Sequence, residues 1–289
     1  METRFWIRST LKKIIPVKYR MLRYVLSEKV RYYPDLIYNL GSGLECPFCH
    51  WRFRRFIPSG FDYPVLAEKK VIGAVRRPNV ICPRCKSNSR ERLLYLYLKY
   101  RTTLLSGNAT LLHVAPEPQL QRLLLGLREL RYISTDLSDV PNATIMIRAD
   151  ITRMPFPDNT FDVIICSHVL EHIPDDRQAM QELLRVLKRG GWAILQVPIA
   201  LALRETYENP AITDEEQRIR EFGQRDHVRL YAMDYLDRLK ANGFSVSIFN
   251  NAKEFGADFS RLYGLDATED LYICSKAMDQ LGRAEYLQS

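Results

Sequence analysis

The chain has 289 residues, 46% of them hydrophobic and 26% charged, enough to build a full core in one large or two modest domains. No run reaches the roughly 18 apolar residues that a membrane span requires, and the N-terminus lacks the apolar block and cleavage site of a secretory signal. A cytoplasmic chain without a transmembrane segment is therefore expected. Charge is divided unevenly: residues 1–100 carry 21 Lys+Arg against 7 Asp+Glu, net +14, and the remainder nets −6. Such asymmetry fits either an anionic partner for the first hundred residues or a basic solvated surface.

Residues 1–40 are rich in Arg, Lys, Tyr and aliphatics at helical spacing, with Pro16 and Pro34 breaking the run into short helices. The segment reads as a basic helical arm that packs on its own domain or makes peripheral contact with an anionic membrane surface. Residues 41–105 read as a zinc-ribbon-like module plus a connecting helix over 91–105. Four of the six cysteines lie in two pairs, Cys46-Pro-Phe-Cys49 and Cys82-Pro-Arg-Cys85, with 32 residues between them. Each pair offers two thiolates from one tight turn, which the proline preorders, and two turns complete a tetrahedral shell for Zn²⁺. Four thiolates leave no open coordination position, so such a metal is structural. Cys166 and Cys274 fall in apolar strands and read as core thiols.

Residues 106–289 read as an α/β domain. Strands are expected at 110–115, 132–136, 145–150, 161–167, 192–198, 245–250 and 271–275, with helical patterns between most of them. The helix over 177–188 would turn Met180, Leu183, Leu184 and Leu187 inward. This alternation predicts a doubly wound, mostly parallel sheet. Open α/β sheets bind ligands where their strands stop, and Asp136 and Asp150 each close a predicted strand.

The order YISTD, RADI, TFDVIICSHVLEHI and ELLRVLKRGGWAILQVP, within residues 110–276, resembles the class I S-adenosylmethionine-dependent methyltransferases, and among them the methyltransferase type 11 group. The resemblance implies a Rossmann-like seven-stranded sheet with one antiparallel edge, methyl transfer, and S-adenosylmethionine as cofactor. It implies Asp136 for the ribose diol and Asp150 with Ile151 for the adenine. Ser167 and His168 would flank the methionine portion. The first turn departs from the family pattern of an acid followed by G-x-G. Here it reads His113-Val114-Ala115-Pro116-Glu117-Pro118. Ala115 is small enough for close backbone approach, two prolines remove N–H donors, and Glu117 is expected to hold the methionine ammonium. His168 to His172 also spells H-x-x-E-H, but that zinc-protease motif needs a long helix, and Pro174 follows two residues on.

The stretch between residues 199 and 229 is polar and irregular, and insertions at this point of the fold commonly form the acceptor pocket. Asp226 and His227, then Arg229 and Tyr231, place an acid, a base, a cation and a phenol within six residues. A hydroxyl acceptor must lose a proton, so His227 with Asp226 reads as a catalytic pair, and His172 as a competing base. Arg229 would bind a carboxylate or phosphate on the acceptor. The plainer alternative has Asp226 and His227 capping a helix over 231–241. No N/D-P-P-Y/F and no Pro-Cys follows residue 167, which argues against base-amino and pyrimidine C5 methylation. O-methylation of a sugar, glycan or other small acceptor is the expected function. RNA methylation with the basic module binding RNA, and a non-catalytic zinc-stabilised scaffold, are the alternatives.

Overall fold

Seven strands form one sheet in the computed structural model, which describes residues 34–137 and 145–278. They are β1 Thr110–Val114, β2 Arg131–Asp136, β3 Ile147–Arg148, β4 Phe161–Ser167, β5 Leu187–Gln196, β6 Ser245–Asn250 and β7 Asp270–Ser275. Their order across the sheet is β6-β7-β5-β4-β1-β2-β3. The pairs β1·β2, β1·β4, β4·β5 and β2·β3 are parallel, and β7 runs antiparallel to both β5 and β6. The sheet is thus doubly wound with an antiparallel edge, as the resemblance implies. Residues 1–33 of the N-terminal arm lie outside the described residues.

The β4 sequence FDVIICS is apolar almost throughout because both its faces are covered. One face packs Leu112, Ile164, Cys166 and Leu195 against Met180, Leu183 and Val186 of the Asp176–Val186 helix. The other packs Leu111, Val163, Ile165 and Ile194 against Leu94 and Leu98 of the Ser89–Arg101 helix.

Three elements differ from expectation. The strand expected over 145–150 is confined to Ile147–Arg148, because Asp150 turns the chain: its Oδ1 accepts from Thr152 N and Oγ1, both at 2.8 Å. Gly190 and Gly191 lie inside β5 rather than in a turn before it. A Cβ on Gly191 would come within 2.8 Å of Lys188 O and 2.9 Å of Asp162 O, and the β4 register shifts here. The helix expected from 231 starts at Tyr235, with Asp234 as its N-cap.

The cysteine-bearing segment has its own pairings, Leu40–Glu45 with Arg52–Phe53 and Ile57–Ser59 with Arg77–Ile81. Leu44, Phe53 and Phe56 form a small core around Cys46 and Cys82. The Ser89–Arg101 helix begins with a capping box in which Asn88 and Glu91 satisfy each other's backbone donors. Fully buried Arg92 on this helix donates to five carbonyl oxygens: Asn79 (3.1 Å), Val80 (3.0 Å) and Ser87 (2.8 Å) in the module, and Tyr263 (2.7 Å) and Gly264 (2.9 Å) in the sheet domain. Burial lowers its pKa to about 10, which still leaves the guanidinium charged at neutral pH. From the module a strap, Val71–Ile72, pairs antiparallel with Ile199–Ala200, just beyond β5.

Arg92→Met keeps much of the volume but leaves buried carbonyls without their charged donor. It should cost about 3 kcal/mol or more and lower the melting temperature in calorimetry by roughly 6–12 °C.

Candidate active site

Buried polar atoms in folded proteins are nearly always paired. Among the described residues, eight buried side-chain atoms lack a hydrogen-bond partner: Arg90 Nε, Glu117 Oε1, Thr135 Oγ1, His168 Nε2, both Glu171 oxygens, His227 Nδ1 and Glu269 Oε2. Thr135, Glu117, His168 and Glu171 sit at or just past the C-terminal ends of β1, β2 and β4. Glu269 immediately precedes antiparallel β7, which places it at the same end, where its Oε1 accepts from Gln196 Nε2 at 2.7 Å. One end of the sheet therefore concentrates unmet hydrogen-bonding capacity beside the switch point between β1 and β4.

The β1 turn shows how a chain without the expected glycines makes this end. Ala115 adopts φ +45°, a left-handed conformation usual for glycine, and its N–H donates to Thr135 O at 2.8 Å. His113, fully buried, stands between Tyr132 OH (Nδ1, 3.0 Å) and Glu117 Oε2 (Nε2, 2.9 Å). The carboxylate expected on the strand is thus supplied four residues later. Burial pushes the Glu117 carboxyl up, but His113 and Arg90 outweigh it and hold it below its ordinary range. Arg90 Nε lies 3.3 Å from Glu117 Oε1 without hydrogen-bond alignment.

The other expected cofactor residues line the same end. Asp136 closes β2 half-buried, Ile151 is buried, and Asp150 is exposed with its Oδ1 engaged in its turn. Ser167 ends β4 and donates to Gln196 Oε1 at 3.3 Å. His168 follows with φ +54°. Enclosure, and secondarily Arg90, push its pKa well below the usual range, so the ring is neutral.

Beyond His168, the short 3-10 turn Leu170–His172 meets the 226–229 segment, where Val228 N donates to Glu171 O at 3.0 Å. His172 Nδ1 lies 3.3 Å from Asp226 Oδ2, and the His172 and His227 rings meet edge to face with centroids 4.6 Å apart. Burial lowers the pKa of His172, against opposition from Asp226, and takes that of His227 to about 3. Burial also raises Glu171 to about 8. His172, Asp226 and His227 are therefore brought together, and neither Asp226 nor His227 caps a helix. Arg229 is the exception to the expected acceptor cluster. It is buried, donating to the Leu170, Ile173 and Pro174 carbonyls and to Glu208, so it holds the 170–174 turn in place and is not offered to an acceptor. Tyr231 is likewise a core phenol, donating to Asp176 Oδ2 at 2.7 Å.

The cysteine quartet converges as its spacing predicts. Cys46 and Cys85 Sγ are 3.5 Å apart, Cys49 and Cys82 Sγ 3.8 Å. A tetrahedral ion at Zn–S of about 2.3 Å places its sulfurs about 3.8 Å apart. The two turns share a geometry. His50 N donates to Cys46 O and Lys86 N to Cys82 O, and both His50 and Lys86 take positive φ.

Sequence reasoning missed the part of the site that comes from the module. Arg90 points in from the Ser89–Arg101 helix, and Gly73 of the strap rests on His168 and Glu269. Arg77 from the module reaches Asp266 (3.2 Å) and Glu269 (3.6 Å). Only the high density of Arg in residues 76–92 hinted at this.

Residues 123–195 match the family model described as a methyltransferase domain (Methyltransf_11). The chain is 37% identical over 65 residues to the ubiquinone/menaquinone biosynthesis C-methyltransferase UbiE of Idiomarina loihiensis, covering 22% of this chain and 26% of that protein. It is 40% identical over 62 residues to an uncharacterized methyltransferase of Mycobacterium leprae, covering 22% and 23%. The chain thus spans about a quarter of the length of these curated relatives. Similar solved structures include the [4+2]-cyclase SpnF, with TM-score 0.47 and 18% identity over 65% of this chain and 82% of that one. Another is a SAM-dependent methyltransferase from Archaeoglobus fulgidus, with TM-score 0.41 and 16% identity over 64% and 94%.

The strap is testable at Gly73, whose φ is +84° and whose added Cβ would lie 3.2 Å from His168 Cε1. Gly73→Ala should destabilise the fold by about 1 kcal/mol, seen as a melting temperature lower by roughly 2–4 °C, and should displace the His168 imidazole resonances in NMR.

Proposed function

We infer that the class I methyltransferase domain this chain carries moves a methyl group from S-adenosylmethionine to a hydroxyl oxygen of a sugar, glycan or other small acceptor. The observation that carries this reading is the gathering of unpartnered buried polar atoms at the C-terminal end of the sheet, flanked by Asp136 on one side and the His172–Asp226 pair on the other. When bound, the cofactor supplies an electrophilic sulfonium methyl, whose transfer leaves a thioether and releases the hydroxyl proton. The residues present fit it. Asp136 would accept from the ribose diol, while Asp150 and Ile151 would hold the adenine by its amino group and ring face. Glu117 and Arg90, opposite charges with an unpaired atom each, suit the ammonium and carboxylate of the methionine end. His172, kept neutral by burial, can take the hydroxyl proton, and Asp226 beside it steadies the imidazolium that results. His227 packs on His172 and sets its orientation.

The cysteine quartet is proposed to hold structural Zn²⁺, with residues 41–105 as a module and 106–289 as the methyltransferase domain. A second reading makes RNA the acceptor. It is favoured by stacked pairs on and beside the module, where Arg84 lies over the ring of Trp51 and Arg54 and Arg55 over Tyr38. Trp51 and Tyr38 are both exposed. Stacked Arg–aromatic pairs suit single-stranded bases. RNA affinity falling by roughly one log unit per log unit of salt for each phosphate contact would support it, and salt-independent binding would exclude it.

Calorimetric titration with S-adenosylmethionine should show binding in wild-type protein that Asp136→Ala abolishes. Arg90→Ala should weaken it about tenfold or more, as expected for loss of a charge-assisted hydrogen bond. Undetectable binding by the wild-type chain would overturn the reading. Removing metal with a chelator, or Cys82→Ser, should release one zinc per chain by elemental analysis and unfold the module, since bound zinc contributes on the order of 10 kcal/mol to such folds.

A further inference from the structure

We propose that Glu171, His172 and His227 hold a divalent first-row transition-metal ion on the acceptor side of the cleft. One ligand atom from each lies within 4.8 Å of the others. Glu171 is 1% exposed and His227 2% exposed. Neither Glu171 oxygen, nor Nδ1 of His227, has a hydrogen-bond partner among the described residues. His168 Nδ1, on a neutral ring, stands off from Glu171 Oε1 at 3.4 Å. A carboxylate so enclosed, with two imidazoles beside it and nothing bonded to it, has the composition of a ligand set rather than of a packed core.

The second layer is also present. Asp226 Oδ2 lies 3.3 Å from His172 Nδ1, which leaves Nε2 of that ring for a metal, in the carboxylate–histidine–metal arrangement that fixes tautomer and orientation. The backbone bond from Val228 N to Glu171 O and the Arg229 clamp on the 170–174 carbonyls tie the two ligand-bearing segments together. Facial ligands at about 2.1 Å from an ion stand about 3 Å apart, so small side-chain rotations close the set. Two histidines and one carboxylate on one face leave open positions, the pattern of catalytic rather than structural sites. The ligands are not those of H-x-x-E-H, since His168 is replaced by His227 from 59 residues downstream.

The binding claim stands on this geometry. Its role rests on the O-methylation reading with the base reassigned, because a His172 bound through Nε2 and held by Asp226 at Nδ1 has no lone pair for a proton: an acceptor hydroxyl on the open positions would be polarised by the ion, and its proton would pass to exposed Asp226 as the oxygen–carbon bond forms and the carbon–sulfur bond breaks.

The test is a Co²⁺ titration of full-length protein carrying one equivalent of zinc per chain, which the four thiolates take, followed by visible absorption and calorimetry. One equivalent beyond the cysteine-held zinc is expected, with weak visible bands and no thiolate charge-transfer band. Glu171→Gln and His227→Ala should each weaken binding about 100-fold or abolish it, and Asp226→Asn about tenfold. No cobalt binding by folded wild-type protein, or unchanged affinity in both ligand variants with native circular dichroism, overturns the site. A parallel S-adenosylmethionine titration separates the two readings: cobalt without cofactor binding sustains the metal site and sinks methyl transfer, and cofactor without cobalt binding does the reverse.

Discussion

The five hydrogen bonds of Arg92 are the interaction on which the arrangement depends. A guanidinium removed from water is costly unless all its donors are satisfied, and here backbone carbonyls satisfy them from two parts of the chain, 79–87 and 263–264. Carbonyls cannot be rotated away as side chains can. The charge therefore fixes the module against the segment leading into β7 with little freedom, while Phe56 closes over the guanidinium at 4.5 Å. Two residues earlier on the same helix, Arg90 points at Glu117. The docking of the module and the cationic corner of the site thus share one rigid element.

That corner explains how the first turn works without glycines. Glycine lets backbone N–H groups approach a ligand closely, and Pro116 and Pro118 forgo two such donors. Ala115 supplies the turn by accepting a positive φ at some cost in strain. Electrostatics replaces the missing donors: a buried Glu117 oriented by His113, with Arg90 facing it. The cationic half of this pair comes from outside the sheet, on the Ser89–Arg101 helix.

How much of this was legible in the sequence follows from how local each feature is. The limits of β4 and β6 could be read directly, since apolar runs and their flanking residues define them, and the cysteine quartet was legible because two matched turns suffice to predict convergence. The gathering of His172, Asp226 and His227 was read as two rival bases and proved to be one cluster, because only the return of the chain after β5 brings residues 226–229 onto the 170–173 turn. Arg229 shows the opposite failure. A charged residue in a polar stretch looks available to a ligand, and nothing local reveals that three carbonyls and Glu208 already occupy it. Arg90, Arg92 and Gly73 were illegible for a related reason, since their partners lie at sequence distances that periodicity does not sample.

The strap converts this docking into control over solvent. Gly73 lies against His168 and Glu269 where a larger residue would collide, and its neighbours Val71 and Ile72 are paired to the chain leaving β5. Val65, Leu66 and Val71 also form one apolar cluster with Ala200, Ile212, Phe222 and Leu230, so the post-β5 insertion and the module pack as a single cover. Where this cover meets His168 and Glu269 it shields them, and removal from water is what strengthens the charges left there. The low pKa of His227 and the raised pKa of Glu171 have burial as their first cause. Burial is thus what sets the protonation of the site histidines, and at His168 the module supplies part of that burial through Gly73.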